Sequence, residues 1–390
     1  MKKLFFIAAI AGAALVSCTK NEVAPSVNEQ QEISFAAPVI STSTKVTEVA
    51  NNYDTDLTFS VWAHYYDQAN DGSVYTNFAD GEVYMNEVPV KYDDALKGWK
   101  NEATTYYWPK NGSLTFIAYS PSAVASNADV DANGIKFTDY VVGAPANQVD
   151  LLYSERAYNK TAVDRATASA NPYAGVQINF KHALSSILFK VKAHADYAGT
   201  VLTVKKIEVL NAYSTGDFTQ GLADQDGATT GQKVTINEVE TQTKAEWSDY
   251  ATETIYTAYE STTGIVLSHT NAVYTHNATA TATTNTTDLI LLPQDLYHDY
   301  EEADDTEVTI KVTYTLKNKD MGEAIEQVAE VSLATGKAGG YFTDGTDSIS
   351  AWEMGKKYTY TIEVGLNEIY FDPRVEAWTP VEVQPNIPIN

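Results

Sequence analysis

The chain has 390 residues, of which 51 are acidic and 26 basic, giving a formal net charge of −25. That balance excludes a nucleic-acid binder, which needs a basic face, and excludes peripheral attachment to anionic lipid. Length leaves room for two domains, 26 Tyr point to strands and contact surfaces, and a single cysteine leaves no intramolecular disulfide.

The chain starts Met1-Lys2-Lys3, runs apolar from Leu4, and reaches Leu15-Val16-Ser17-Cys18. A basic start, a short apolar run and small residues at its end make a secretory signal, too short to span a bilayer as a mature helix. Leu-x-(small)-Cys at this place resembles the bacterial lipobox. The resemblance implies a diacylglycerol on the Cys18 thiol, cleavage before it, and acylation (palmitate or a similar chain) of the new N-terminus. Two or more acyl chains make a stable anchor, each buried CH₂ contributing roughly 0.8 kcal/mol. The anchored protein is then expected on the outer membrane, held there by Cys18.

Residues 18–31 are polar and read as a flexible tether. Ile33, Phe35, Ala37 and Val39 then alternate at the period of a half-buried strand, with Pro38 turned away from the inward row. Leu57, Phe59, Val61 and Ala63 form one face of the next strand, with Trp62 and His64 on the other. Lys110-Asn111-Gly112 reads as a hairpin-like turn between Tyr107-Trp108-Pro109 and the strand from Leu114. A short strand is expected at residues 149–153. The polar stretch 155–175 reads as a domain boundary. Beyond it residues 176–192 alternate, with 201–210 as their expected partner. Residues 218–287 carry a weak pattern and read as long loops with short strands. Val308, Ile310, Val312, Tyr314 and Leu316 make the cleanest alternation in the chain. Strands separated by turns, with no long amphipathic helix, give an all-β sandwich architecture.

The tail continues this logic. Ile369, Phe371, Pro373, Val375, Ala377, Val381 and Val383 all sit at odd positions, with acidic and basic residues between them. This alternation outruns an ordinary strand of about 5–6 residues, and Pro373 and Pro380 split it into two pieces. It fits either the last strand of its own sandwich or a strand given to another subunit.

Several segments together resemble the Bacteroidales fimbrillins, the type V pilins with their minor and anchor subunits. They are the lipobox at Cys18, Tyr107-Trp108-Pro109 with residues 114–121, and Asp150-Leu151-Leu152. Phe180-x-His182-Ala183-Leu184-Ser185-Ser186-Ile187, Trp352-x-x-Gly355-Lys356-x-Tyr358 and Asp372-Pro373-x-Val375-x-x-Trp378 complete the set. The resemblance implies two transthyretin-like Greek-key β-sandwiches in tandem. On that basis residues 1–17 are the signal peptide, 18–31 the tether, 32–172 and 173–365 the two sandwiches, and 366–390 a terminal strand-like tail. It further implies a structural fimbrial subunit, not an enzyme, with no cofactor, whose partners are other fimbrial subunits and whose work is cell adhesion.

In that scheme a trypsin-like protease removes the first strand, and a neighbour's strand fills the groove by β-augmentation. Here the replaceable strand is Ile33, Phe35, Ala37 and Val39. The donor is Ile369, Phe371, Val375, Ala377, Val381 and Val383. The cut falls after Lys45, the only basic residue between Lys20 and Lys91; the first Arg is Arg156, so an Arg-only protease has no site upstream of it.

Catalytic and metal patterns are weak. The six His form no HExxH pair and there is no Gly-x-Ser-x-Gly elbow. His182 belongs to the fimbrillin pattern and is expected to pack. Residues 129–134 copy half an EF-hand loop, but Tyr140 stands where Glu is needed, and an Asn133-Gly134 hairpin explains them better. Tyr65-Tyr66 and Tyr106-Tyr107-Trp108 offer the rival reading, a surface-tethered glycan-binding lipoprotein acting as a monomer.

Overall fold

The computed structural model describes residues 27–40, 53–67, 78, 81–101, 103–124, 127–131, 134–162, 175–221, 234–236, 239–241, 245–275, 288–298, 306–334, 349–366 and 369–377. Strands dominate them, arranged as β-sandwich layers around two apolar cores.

The first sheet runs in the order Val39–Ile40, Asn179–His182, Leu152–Ser154, Ser113–Ser120, Phe59–Tyr66, Glu82–Asp93, Gly98–Lys100, with Ala157–Lys160 also paired to Ser113–Ser120. Its pairings are antiparallel except that of Val39–Ile40 with Asn179–His182. Glu82–Asp93 bends at Glu87, which sits in the left-handed region at φ 48° where the register with Phe59–Tyr66 shifts. A bulge of this kind turns a strand from one layer into the next. The smaller core of Phe35, Phe59, Val61, Trp99, Trp108, Phe116 and Phe180 fills the space below.

The second sandwich has two sheets. One runs Val273–Tyr274, Ser185–Ala193, Lys356–Val364, Ile369–Ala377, with Leu289–Leu291 also on Ser185–Ala193. The other runs Ile325–Ser332, Thr309–Asn318, Thr200–Thr219, Gly134–Val141, Ala128–Asp131, with Glu246–Val266 along the opposite edge of Thr200–Thr219. Between them pack Ile187, Phe189, Val191, Tyr360 and Ile362 from one sheet and Val204, Ile207, Val209, Ile310 and Val312 from the other. Each large apolar side chain withdrawn there contributes roughly 1.5–3 kcal/mol.

The expected alternation of Val308 to Leu316 is found, and Ala128–Asp131 pairs antiparallel with Gly134–Val141 as a hairpin there requires, with Asn133 outside the described residues. Other expectations need correction. Residues 201–210 do not pair with 185–192; the two lie in different sheets and face each other across the core. The stretch read as loops contains the 21-residue strand Glu246–Val266. It was illegible because, as a largely solvated edge strand, it buries only scattered residues and its register slips at bulges. Gly112 (φ 73°) does turn the chain, but between layers: Tyr107–Pro109 pairs with Val27–Glu32, not with Ser113–Ser120. Pairing from Val27 onward also shortens the tether read at 18–31. Leu57 lies outside its expected face, 38% exposed.

Sheet membership crosses the division placed at 172/173 in both directions. Asn179–His182 belongs to the first sheet, and Gly134–Val141 pairs with Thr200–Thr219 of the second sandwich. Phe59–Tyr66 and Ser113–Ser120 are buried along their whole length. One face of these strands (Phe59, Val61, Phe116, Ala118) lines the first core, and the other (Trp62, Ile117, Tyr119) joins the second. Buried polar groups fasten this junction. Gln220 is fully buried; its Oε1 accepts from the Ile135 N–H (3.1 Å) and its Nε2 donates to the Ser154 carbonyl (2.7 Å). The Trp247 indole N–H donates to the Ala183 carbonyl (2.7 Å).

Candidate functional site

The segment at residues 27–40 is threaded through the first sandwich. Val27–Glu32 pairs with Tyr107–Pro109. Beyond it, the Ile33 N–H donates to the Tyr106 carbonyl (2.8 Å), and Phe35 and Trp99 exchange bonds at 2.9 and 3.3 Å. On the other side the Ala36 N–H donates to the Val176 carbonyl (3.0 Å) and the Val176 N–H to the Ser34 carbonyl (2.8 Å). Phe35 therefore bridges Trp99 antiparallel and Val176 parallel. Val39 and Ile40 then pair with Asn179 and Phe180.

Side chains complete the fit. Ile33 is 4% and Phe35 1% exposed. The Phe35 ring meets Phe59 at 5.6 Å and Phe116 at 5.9 Å, both edge to face. Tyr53 stacks on Phe180 (5.4 Å) and bonds Ser120 Oγ (2.6 Å), burial pushing its phenol pKa well above the ordinary range. Gly175 is required by close approach: a Cβ there would collide with the Ser34 carbonyl. The sequence reading missed Trp99, Tyr106, Gly175 and Val176 as the walls of this slot; a glycine beside an alternating run was the one signal present.

The inward row of this segment differs from the expectation of Ile33, Phe35, Ala37 and Val39. Ala37 is exposed, while Pro38 and Ile40 are buried. The two-sided pairing at Ser34–Ala36 stops at residue 37, so the phase of the alternation shifts there. The Ala37 carbonyl accepts instead from Gln177 Nε2 (3.1 Å). Cys18 and Lys45 lie outside the described residues.

At the other end of the chain, Ile369–Ala377 pairs antiparallel with Lys356–Val364 along its whole length. Its register sets residues 369, 371, 373 and 375 opposite Val364, Ile362, Tyr360 and Tyr358, all buried. Ile369 is buried and Val375 is 42% exposed. Among the described residues no strand pairs with the outer edge of Ile369–Ala377. Val381 and Val383 lie outside the described residues.

A profile of the fimbrillin-like family matches residues 44–378. The chain belongs to the fimbrillin-like family. This is a family of structural fimbrial and adhesion proteins. A fimbrial protein from Bacteroides vulgatus has the same fold, with a TM-score of 0.56 at 17% identity over 90% of this chain and 100% of that one. The tip fimbrial protein Mfa3 from Porphyromonas gingivalis matches with a TM-score of 0.36 at 10% identity, over 83% of this chain and 94% of that one. Among curated proteins none matches the sequence.

The remaining motif residues of this fimbrillin-like chain are structural. His182 is 4% exposed and its Nδ1 lies 2.9 Å from Asp150, tying the end of Asn179–His182 to the segment that leads into Leu152–Ser154. Trp352 donates to the Tyr360 hydroxyl (3.0 Å), the Glu353 N–H donates to the Tyr358 hydroxyl (2.8 Å), and Gly355 turns the chain at φ 66°. Of the rings behind the rival glycan-binding reading, Tyr65, Tyr66 and Trp108 are buried, and Tyr106 and Tyr107 half-buried. A cavity of about 390 Å³, lined by Pro121, Phe137, Tyr140 and Val149 among others, lies elsewhere. Among the described residues no three His, Cys, Asp or Glu side chains gather in a metal-holding group, and no helix is long and apolar enough to cross a membrane.

Proposed function

We propose that this chain is a fimbrial subunit, exported as a lipoprotein on Cys18, that joins its neighbours by strand exchange and has no enzymatic activity. Its localisation is the outer-membrane surface and the fimbrium built there. The observation that supports this reading is the slot of Ile33–Phe35. A terminal segment fills the centre of a sandwich, holds main-chain bonds on both sides, and buries large side chains. A cut after Lys45 parts residues 27–40 from every later strand and leaves the connections among those later strands intact. The cut is placed after Lys45, and the donor is residues 369–383 of a neighbouring subunit. A donor must leave its own sheet first; that Ile369–Ala377 is an edge strand with one partner strand among the described residues supports this reading.

The test is to treat purified protein with trypsin and follow it by electrophoresis without boiling. SDS-resistant ladders are expected after cleavage near Lys45. Protein that is cut there yet stays monomeric at every concentration overturns the assembly reading.

A further inference from the structure

We infer that the incoming strand is read by a five-residue register, in which Ile369 takes the place of Ile33 and Phe371 the place of Phe35. This rests on the strand-exchange reading above and names the residues that give it specificity.

The resident segment carries Ile33-x-Phe35, and both side chains are buried. The sequence holds five Ile-x-Phe triplets, at 33–35, 135–137, 178–180, 187–189 and 369–371. Those within or beside Gly134–Val141, Asn179–His182 and Ser185–Ala193 belong to strands flanked on both sides by other strands. Of the remaining two, one is the resident and the other lies on the terminal edge strand. It is the only copy that can leave without dismantling a sheet interior.

Hydrogen bonding selects the register. The N–H groups of Ile33, Phe35 and Ala36 are all donors to the slot walls. Proline has no N–H, so Pro373 cannot stand at any of those places. With Ile369 at position 33, Pro373 falls at position 37, whose N–H makes no hydrogen bond with a described residue. A slip of two residues, with Phe371 at position 33, puts Pro373 on position 35 and loses the bond to the Trp99 carbonyl. Size selects the direction. A reversed strand puts Phe in the pocket of Ile33 and Ile in the pocket of Phe35, overpacking one and leaving a void in the other. The match ends at position 37. Pro38 and Ile40 are buried, and their counterparts Arg374 and Glu376 are charged, so the incoming strand leaves the resident path there.

The experiment uses the full chain with a site-specific protease sequence inserted between Thr42 and Ser43. After cleavage the resident segment stays in place by non-covalent contact alone. Excess synthetic peptide is added and its replacement of the resident segment is followed by native mass spectrometry. Five peptides are compared: residues 366–377, the same with Ile369→Ser, with Phe371→Ser, with Ile369→Phe and Phe371→Ile together, and with Val375→Ser. The first three changes to the triplet are expected to weaken exchange by at least about tenfold, as removal or misplacement of one buried side chain does. The Val375→Ser peptide is expected within about twofold of the parent. Equal exchange by the size-swapped peptide, or a loss at Val375 as large as that at Phe371, overturns the register. A peptide of residues 27–40 is the control. If it exchanges and the tail peptide does not, the register fails while strand exchange stands; if neither exchanges, strand exchange itself fails.

Discussion

The slot makes its strongest demand on Phe35, and Phe35→Ala measures it. The ring is 1% exposed and meets Phe59 and Phe116 edge to face at 5.6 and 5.9 Å. Truncating a fully buried Phe removes about 3–5 kcal/mol, transfer and cavity together. The upper end applies here, since edge-to-face pairs add about 0.5–1.5 kcal/mol each and the facing rings are held by a sheet packed on both sides. Against a total stability of about 5–15 kcal/mol, that is a third or more. With a urea m-value of about 3 kcal/mol/M, a loss of about 4–5 kcal/mol should lower the midpoint by about 1.3–1.7 M. Trp99 and Trp108 share this core and are each 2% exposed, so tryptophan emission reports its unfolding directly. Ala37→Ser is the paired control: the residue is exposed, so its change should stay within about 0.5 kcal/mol. A Phe35→Ala midpoint indistinguishable from that of Ala37→Ser would refute the claim that this segment is an integral part of the sandwich.

Gly175→Ala should destabilise by about 1–3 kcal/mol, because its methyl meets the Ser34 carbonyl; faster hydrogen exchange at the Ile33 to Ala36 amides would locate the effect, and unchanged exchange there would count against it. Gln220→Leu strands the Ile135 N–H and the Ser154 carbonyl, each an orphaned group worth about 1–3 kcal/mol; a thermal-melt midpoint equal to wild type would remove Gln220 as a fastening between the two sandwiches. Burial holds the His64 pKa below its usual 6.5, partly offset by the Phe78 carbonyl. The unfolded chain therefore binds a proton first as pH falls. This part of the stability is complete above pH 6.5 and is lost as pH drops through the folded-state value. His64→Phe should flatten that slope in urea titrations run across the acidic range, and an unchanged slope would assign it to other groups. Cys18→Ala should leave uncleaved, unlipidated precursor, detected by mass and by loss of membrane retention; retention at the wild-type level would argue against the lipid anchor.

Local chemistry was enough to read much of the chain. Period-two alternation announced Thr309–Asn318, and an Asn-Gly step announced the antiparallel pairing of Ala128–Asp131 with Gly134–Val141. The burial of Ile33 and Phe35 was equally visible, because a strand with one buried face writes its period into the residues themselves.

Which strands pair, and which faces meet, was decided only by the three-dimensional arrangement. Nothing local to Phe59–Tyr66 or Ser113–Ser120 says that their two faces serve different cores. Nothing in Gly134–Val141 says that the edge left free by its hairpin with Ala128–Asp131 pairs with Thr200–Thr219. Glu246–Val266 owes its existence to the long strand it lies against and not to its own pattern. The inward turn of Pro38 in place of Ala37 follows from where the slot walls end, a fact held by Trp99, Gly175 and Val176 far along the chain. Alternation is a property of a strand, whereas pairing and closure are properties of pairs of strands distant in sequence, so the first can be read along the chain and the second appears only when the chain is folded.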